Sequence, residues 1–223
     1  MTELLSICIP TYQRAKHLST LLSKLVRQLE HLEENKVKIY ISDNCSDDET
    51  PTIVEYYKSK LPIVYNRNSE NVGMMLNFAK VIEIAEGDFI WLFGDDDEFQ
   101  NDKAIEMVLN VLKKNDPHLL ILHEPNYSKL NVDRFFIDVN EFFEYFTKFN
   151  PSLFWTQTWI TANIIKRESF RLEFAVTNIS TFYMHMYGIM KGMKETNGSV
   201  YILTEKIVKS CEEMGYREDN FPN

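Results

Sequence analysis

Phe89-Ile90-Trp91-Leu92-Phe93-Gly94-Asp95-Asp96-Asp97-Glu98-Phe99 is the stretch on which the fold turns. Its first five residues form an unbroken apolar run of aromatic and branched side chains, the kind that fills a strand covered on both faces. Gly94 ends the run, and three adjacent carboxylates follow at once. Like charges at the end of a buried strand repel one another, and burying them unpaired is costly, so the turn calls for a cation or many donors. Carboxylate oxygens suit hard ions such as Mg2+ or Mn2+, and Mg2+ commonly takes only one or two protein carboxylates, with substrate phosphates and water completing the shell. A solvated acidic turn is the plain alternative. A calcium loop of EF-hand type is excluded, because the alternating ligands, central glycine and closing glutamate are missing.

Outward from this segment, strand-like and helix-like stretches alternate. Leu4 to Ile9 is an apolar run stopped by Pro10, and Ala15 to Glu34 carries leucines at helical spacing. Val37 to Ser42 reads as a second strand that ends in Asp43-Asn44-Cys45-Ser46-Asp47-Asp48, after which Thr50-Pro51 opens a helix. Ile63 to Asn66 is a short third strand. Gly73 to Glu86 is a helix with one apolar face, Asp88 to Phe93 the fourth strand, Asp102 to Lys114 a helix, and Leu119 to Leu122 a buried strand. Repeated β-α units with such strands predict an α/β fold with a mostly parallel, Rossmann-like central sheet and helices on both faces. Ligands of these sheets sit at the carboxyl ends of the strands. The polar clusters Thr11 to Arg14, Asp43 to Asp48 and Asp95 to Glu98 fall there.

Composition narrows the function. The 223 residues are 44% hydrophobic and 26% charged, ordinary globular values with ample material for a core. With 24 Lys and Arg against 33 Asp and Glu the formal charge is −9, which argues against nucleic acid as the main ligand. Cys8, Cys45 and Cys211 are widely spaced, so reduced thiols in the cytoplasm are expected. Met1 to Arg14 reads as a first strand and not as a signal peptide, and no stretch is long and apolar enough for a membrane span. The first of only seven glycines is Gly73. A Gly-rich phosphate loop after the first strand therefore does not exist here, which removes GxGxxG dinucleotide folds and P-loop NTPases.

After about Pro125 the alternation weakens. Phe135 to Tyr187 holds fifteen of the 29 aromatic residues. Phe149 to Ile165 has no charged side chain and contains Trp155 and Trp159. Such a surface suits sugar stacking, a lipid-linked acceptor at a membrane face, a homo-oligomer contact or plain core.

Four sets of residues in order over roughly the first hundred resemble family 2 glycosyltransferases of GT-A fold. They are Ser6-Ile7-Cys8-Ile9-Pro10-Thr11-Tyr12-Gln13-Arg14, Ile41 to Asp48, Asn71-Val72-Gly73 with Asn77, and Gly87 to Asp97. The resemblance implies a single domain over 1–223, with a nucleotide-sugar half (1–125) and an acceptor half (126–223). It implies that Pro10, Thr11, Tyr12 and Arg14 lie along the base and ribose, that Asp43 hydrogen-bonds the base, and that Asn71, Gly73 and Asn77 close the pocket. Asp95-Asp96-Asp97 matches the DxD motif, with Asp95 facing ribose or metal, Asp96 on the donor side, and Asp97 binding the Mn2+ or Mg2+ that bridges the diphosphate. A turn and helix start accounts equally well for Asn71 and Gly73.

The implied activity is inverting transfer of a sugar from a nucleotide-diphosphate donor, UDP-sugar favoured, to a glycan or lipid-linked acceptor in surface polysaccharide synthesis. A metal offsets the charge of the leaving diphosphate, and a carboxylate or His takes the acceptor proton. Here the chain departs from the pattern: the downstream acidic pair is missing, with no Asp between Asp138 and Asp219. Glu168, Glu173 and His185 remain as candidate bases, with Glu173 and His185 preferred. Lys206 and Lys209 are candidates for the diphosphate. The missing pair also leaves open a nucleotide-sugar-binding domain without catalysis. A phosphatase of haloacid-dehalogenase type is disfavoured, because its acid motif follows an early strand.

Overall fold

The computed structural model describes residues 3–32, 35–123 and 130–210. The expected division near Pro125, and Cys211, lie outside the described residues. The chain begins with β1 (Leu5–Thr11), α1 (Ala15–Leu29), β2 (Val37–Asp43), α2 (Thr50–Lys58), β3 (Ile63–Arg67), α3 (Met74–Glu83) and β4 (Phe89–Leu92). It continues with β5 (Glu98–Phe99), α4 (Ala104–Asn115), β6 (Leu119–Leu122), β7 (Arg134–Phe136), α5 (Val139–Phe149) and α6 (Leu153–Thr158). Then come β8 (Asn163–Lys166), α7 (Leu172–Thr177), α8 (Met184–Thr196), β9 (Val200–Leu203) and β10 (Val208–Lys209).

Among the described residues one sheet of eight strands runs β3-β2-β1-β4-β8-β6-β9-β7. β1 pairs in parallel with β2 and β4, β2 with β3, and β6 with β9. β8 runs antiparallel to both β4 and β6, and β7 antiparallel to β9. The mostly parallel sheet is therefore as expected, with β8 inserted against the grain at its centre. That reversal sets the lead-in to β8 beside the end of β4, where the acidic turn begins.

Alternating strand residues divide the core into two layers. Leu5, Ile7, Ile9, Ile39, Trp91 and Phe93 pack under α1, α2 and α4 through Leu18, Leu22, Val54 and Leu109. Cys8, Tyr40, Ile90 and Leu92 face α3, α5 and α8 through Ile82, Phe142 and Ile189. Much of the downstream aromatic density is this second layer, with Phe136, Phe142 and Tyr145 in ring contact.

β1 differs from the reading that stopped it at Pro10, since it continues to Thr11, with Pro10 opposite Ser42. Phe93 donates to the Cys8 carbonyl, and alternate residues of a strand face the same neighbour. Pro10 thus turns its missing N–H toward β4 beyond Leu92, the last β4 residue paired with β1, where no partner is required. α1 ends at Leu29, earlier than the leucine spacing suggests, and Leu32 closes a turn onto Leu29. No helix among the described residues is long and apolar enough to cross a membrane.

α1 and α2 both start on one carboxylate. Asp48 Oδ2 accepts from the Ala15 N–H at 3.0 Å and its Oδ1 from the Thr50 N–H at 3.0 Å. Burial alone would raise the Asp48 pKa, but hydrogen bonds from Thr50 and Ala15 hold it below its ordinary value. A depressed carboxyl pKa adds stability above the ordinary carboxylate range that is lost as pH falls through the folded value. Asp48→Ala is expected to cost about 1 kcal/mol in urea unfolding at neutral pH, as loss of a helix cap does. The difference from wild type should shrink in acid; a difference independent of pH would contradict the assignment.

Candidate active site

The three aspartates do not behave alike. Asp95 and Asp97 are buried, at 4% and 7% exposure, whereas Asp96 is partly open. Thr11, at the end of β1, donates its hydroxyl to Asp95 Oδ2 at 2.7 Å. Arg14, in the turn after β1, lies 3.4 Å from Asp95 Oδ1 and donates to Asp96 Oδ2 at 2.5 Å. Asp97 is held from the other side of the sheet centre, by the turn that leads into β8. There the Trp159 indole N–H donates to Asp97 Oδ2 at 2.9 Å, and the Thr161 hydroxyl donates to the same oxygen.

The Thr161 hydroxyl also accepts from the Gly94 N–H at 2.9 Å, and its carbonyl accepts from Trp91 Nε1 at 2.8 Å. A Cβ at Gly94 would come within 2.6 Å of Asp97 Oδ2, so only glycine lets the turn close this tightly.

These donors do not offset the burial. Desolvation pushes Asp95 up to about 7, against the opposing pull of Arg14 and Thr11. Desolvation likewise pushes Asp97 up to about 7, although Thr161 and Trp159 favour its charged form. The donor set fits a divalent ion: both described hydrogen bonds to Asp97 fall on Oδ2, and the carboxylates lack enough positive charge nearby. Among the described residues no group of three or more His, Cys, Asp or Glu forms a metal cage. An ion here would take one or two carboxylates and fill its shell from phosphate and water, the usual habit of Mg2+.

The other strand ends carry a polar network. Asp43 has no exposed surface; its Oδ1 accepts from the Ser46 N–H at 2.8 Å and its Oδ2 from the Tyr65 hydroxyl at 2.7 Å. Arg67 Nε lies 3.4 Å from that Oδ2. Asp43 therefore anchors the turn after β2, and its oxygens are engaged within the protein. Asn77 donates to the Ser42 carbonyl at 2.9 Å and accepts from the Ser42 hydroxyl and from Asn68. Asn44 donates to Asn71 Oδ1 at 2.7 Å and accepts from the Val72 N–H. Gly73 caps α3 at φ +84°, a conformation that favours glycine, and its N–H donates to Asn71 Oδ1 at 2.9 Å. Tyr12 stands exposed at the rim. Pro10, Thr11, Arg14, Asp43, Asn71, Gly73 and Asn77 thus gather around the ends of β1 and β2 and the start of α3.

His185, a preferred candidate base, is buried beside Leu92, Ile160 and Asn163 and makes no described contact with the three aspartates. Its ring is 4% exposed and shares a small cavity with Ile82, Ile90, Ile160 and Phe170. Desolvation lowers its pKa to about 4, despite nearby carbonyls of Gln157 and Thr158. Glu173 is exposed on α7 and makes no described contact with the acidic turn. Glu168 lies 3.3 Å from Lys166 at the opposite end of β8. Lys209, on the β10 ribbon paired with β5, lies 3.3 Å from Glu98. Lys206 is exposed, and its carbonyl accepts from Asn101 Nδ2. The Trp155 side chain lies outside the described residues. The roles of Trp159 and Thr161 carry no sequence signal, because no spacing rule links residues more than sixty positions apart.

An open groove of about 970 Å³ lies outside the strand ends, between the first turns of α1 and α2, lined by Gln13, Lys16, His17, Asp47 and Glu49. It shares Arg14 with the acidic turn. We assign the chemistry to the strand ends, because the buried carboxylates are there.

A central sheet of this order, with a buried acidic turn at the end of β4, is the GT-A arrangement, and the chain belongs to glycosyl transferase family 2, whose model matches residues 6–171. Abequosyltransferase RfbV of Salmonella typhimurium is 28% identical over 229 residues, covering 93% of this chain and 66% of that protein. Poly(ribitol-phosphate) beta-N-acetylglucosaminyltransferase TarS of Staphylococcus aureus is 33% identical over 104 residues, 45% of this chain and 17% of TarS. The crystal structure of TarS 1-349 with UDP-GlcNAc matches with a TM-score of 0.70 at 18% identity, over 95% of this chain and 59% of that one. The mannosyltransferase PcManGT from Pyrobaculum calidifontis, solved with GDP-Man and Mn2+, matches with a TM-score of 0.65 at 13% identity, over 97% of this chain and 59% of that one. These structural likenesses establish the fold. The chain spans less than two thirds of the length of each of these relatives.

The raised carboxyl values make a signed prediction. With folded values of about 7 against 3.8 when unfolded, Asp95 and Asp97 bind protons in the folded state that the unfolded chain releases. Their contribution to stability therefore falls as pH rises through that window. In metal-free buffer, melting of Asp97→Asn should respond less to a change from about pH 5 to about pH 8 than wild type does. Equal responses would show that Asp97 ionises normally in the fold.

Proposed function

We propose that this chain transfers a sugar from a nucleotide-diphosphate donor, UDP-sugar first among them, to a glycan or lipid-linked acceptor in surface polysaccharide assembly. The single observation that carries the proposal is the pair of buried, under-compensated carboxylates Asp95 and Asp97 at the end of β4. A pair of this kind is expensive unless a cation completes it. Support also comes from family membership and from relatives and structural neighbours named as sugar transferases, one solved with UDP-GlcNAc and one with GDP-Man and Mn2+.

In this reading Asp97, with Asp95, holds Mn2+ or Mg2+, which when bound offsets the charge developing on the leaving diphosphate. Thr11 and Arg14 position the sugar-nucleotide side of the site: Thr11 fixes the Asp95 carboxylate, and the Arg14 guanidinium bridges Asp95 and Asp96. Tyr12 and Pro10 line the base and ribose. Asp43 holds the pocket wall through Ser46 and Tyr65, and the Asn44, Asn71 and Asn77 network holds Gly73 against it. Trp159 and Thr161 keep the Asp97 carboxylate oriented and exclude water from its Oδ2. The acceptor proton goes to a carboxylate or His within hydrogen-bond reach of the attacking hydroxyl. The burial of His185 and the outward position of Glu173 favour one second reading, a donor-binding domain without transfer.

Calorimetric titration with UDP, dTDP, GDP and CDP, with and without Mn2+, tests the proposal. One nucleotide, UDP foremost, is expected to bind with metal, and Asp97→Ala to abolish that binding. Absence of binding by every nucleotide in both conditions would remove the proposal's basis. Donor binding with no turnover on any acceptor would select the second reading.

A further inference from the structure

We infer that Asn163 is a positioning residue for Asp97, acting through the turn that carries Trp159 and Thr161; the inference rests on the donor-site reading above. Asn163 is the first residue of β8, where it lies opposite Ile121 of β6 and is 4% exposed. Its amide Nδ2 donates two hydrogen bonds at 2.9 Å each, to the Gln157 carbonyl and to the Trp159 carbonyl. Those acceptors bracket the corner between α6 and β8, at which Trp159 turns to extended backbone, with φ −79° and ψ 120°. The Ala162 N–H donates to the same Trp159 carbonyl at 3.1 Å. One side chain thus staples a six-residue corner to the strand that follows it.

The two side chains that grip Asp97 leave from this corner. Trp159 sends its indole N–H to Asp97 Oδ2, and Thr161 sends its hydroxyl to the same atom while accepting from Gly94. Trp91 of β4 holds the Thr161 carbonyl at 2.8 Å, so the corner is tied to the sheet at its far side as well. Removing the Asn163 amide leaves the Gln157 carbonyl and one lone pair of the Trp159 carbonyl without their buried partner. An unmade buried hydrogen bond is costly, and the corner relaxes by moving. That displacement passes directly to the indole N–H. A carboxylate that is to receive a cation in fixed geometry depends on such outer partners. Asn163 touches neither donor nor metal, and its role lies wholly in orientation.

The test has two arms, with Trp159→Phe, Asn163→Ala and their double variant. In the ligand-free protein, the indole 1H–15N resonance of Trp159, identified by its loss in Trp159→Phe, is expected to shift both in Asn163→Ala and in Asp97→Asn. In calorimetry with UDP and Mn2+, each single variant should weaken metal-dependent binding about tenfold, roughly the worth of one hydrogen bond to a charged group. The double variant should lose no more than the larger single loss, because both changes break one chain of contacts. UDP binding without metal should be equal in wild type and Asn163→Ala.

An unmoved indole resonance overturns the inference whatever the nucleotide data show. Losses that multiply to about a hundredfold overturn it too, since independent effects add in free energy. A shifted resonance in a protein whose wild type binds no nucleotide with metal would preserve the Asn163–Trp159 coupling but sink the donor-site reading, and the positioning role with it. If Asn163→Ala does not fold, Asn163→Val, which has no side-chain donor and leaves a smaller cavity, replaces it under the same criteria.

Discussion

Two carboxylates buried at the end of one central strand set the terms for the rest of this structure. Asp95 and Asp97 lie where β4 leaves the sheet, and no single neighbouring element supplies the donors they require. Thr11 and Arg14 come from the end of β1, parallel to β4 on one side, while Trp159 and Thr161 come from the lead-in to β8 on the other. Only an antiparallel β8 brings its own beginning to the end of β4, so the reversed strand at the sheet's centre and the acidic turn are two parts of one arrangement. Among the described residues the positive charge at the turn is the Arg14 guanidinium, shared by Asp95 and Asp96, and burial holds both Asp95 and Asp97 well above their ordinary range. This imbalance is what the proposed cation and phosphate-bearing donor would offset.

The opposite wall is mostly neutral amides and hydroxyls, with the buried Asp43 set against Arg67. Ser42, Asn44, Asn68, Asn71 and Asn77 exchange hydrogen bonds across the ends of β2 and β3 and the start of α3, and tie those ends to the Thr11 carbonyl. Amide side chains both donate and accept, so the network closes on itself without net charge. Such a wall keeps its shape while the acidic side changes its ionisation.

Apart from the two-residue β5, the strands and helices through β6 are legible in the sequence, because each carries its own periodicity and the polar turns fall where such sheets bind ligands. Pro10 misled the reading locally, since a proline stops a strand only where its missing N–H faces a partner. The downstream half was less legible. Its aromatic residues look alike in sequence whether they pack in the second core layer, as Phe136 and Phe142 do, or stand exposed, as Phe149 and Phe182 do. His185 drew attention by its position in the chain, yet the fold turns it inward among isoleucines. Thr161 and Trp159 sat within an uncharged stretch read for its surface, whereas their polar atoms reach Asp97 through a topology that residue spacing does not encode.

The most direct measurement is a crystal structure with UDP and Mn2+ in which the metal is located by its anomalous scattering. The account predicts a manganese peak against the Asp97 carboxylate, with the diphosphate beside it at the ends of β1 and β4. A manganese peak in the groove near Asp47 and Glu49, with the nucleotide bound away from the acidic turn, would contradict it.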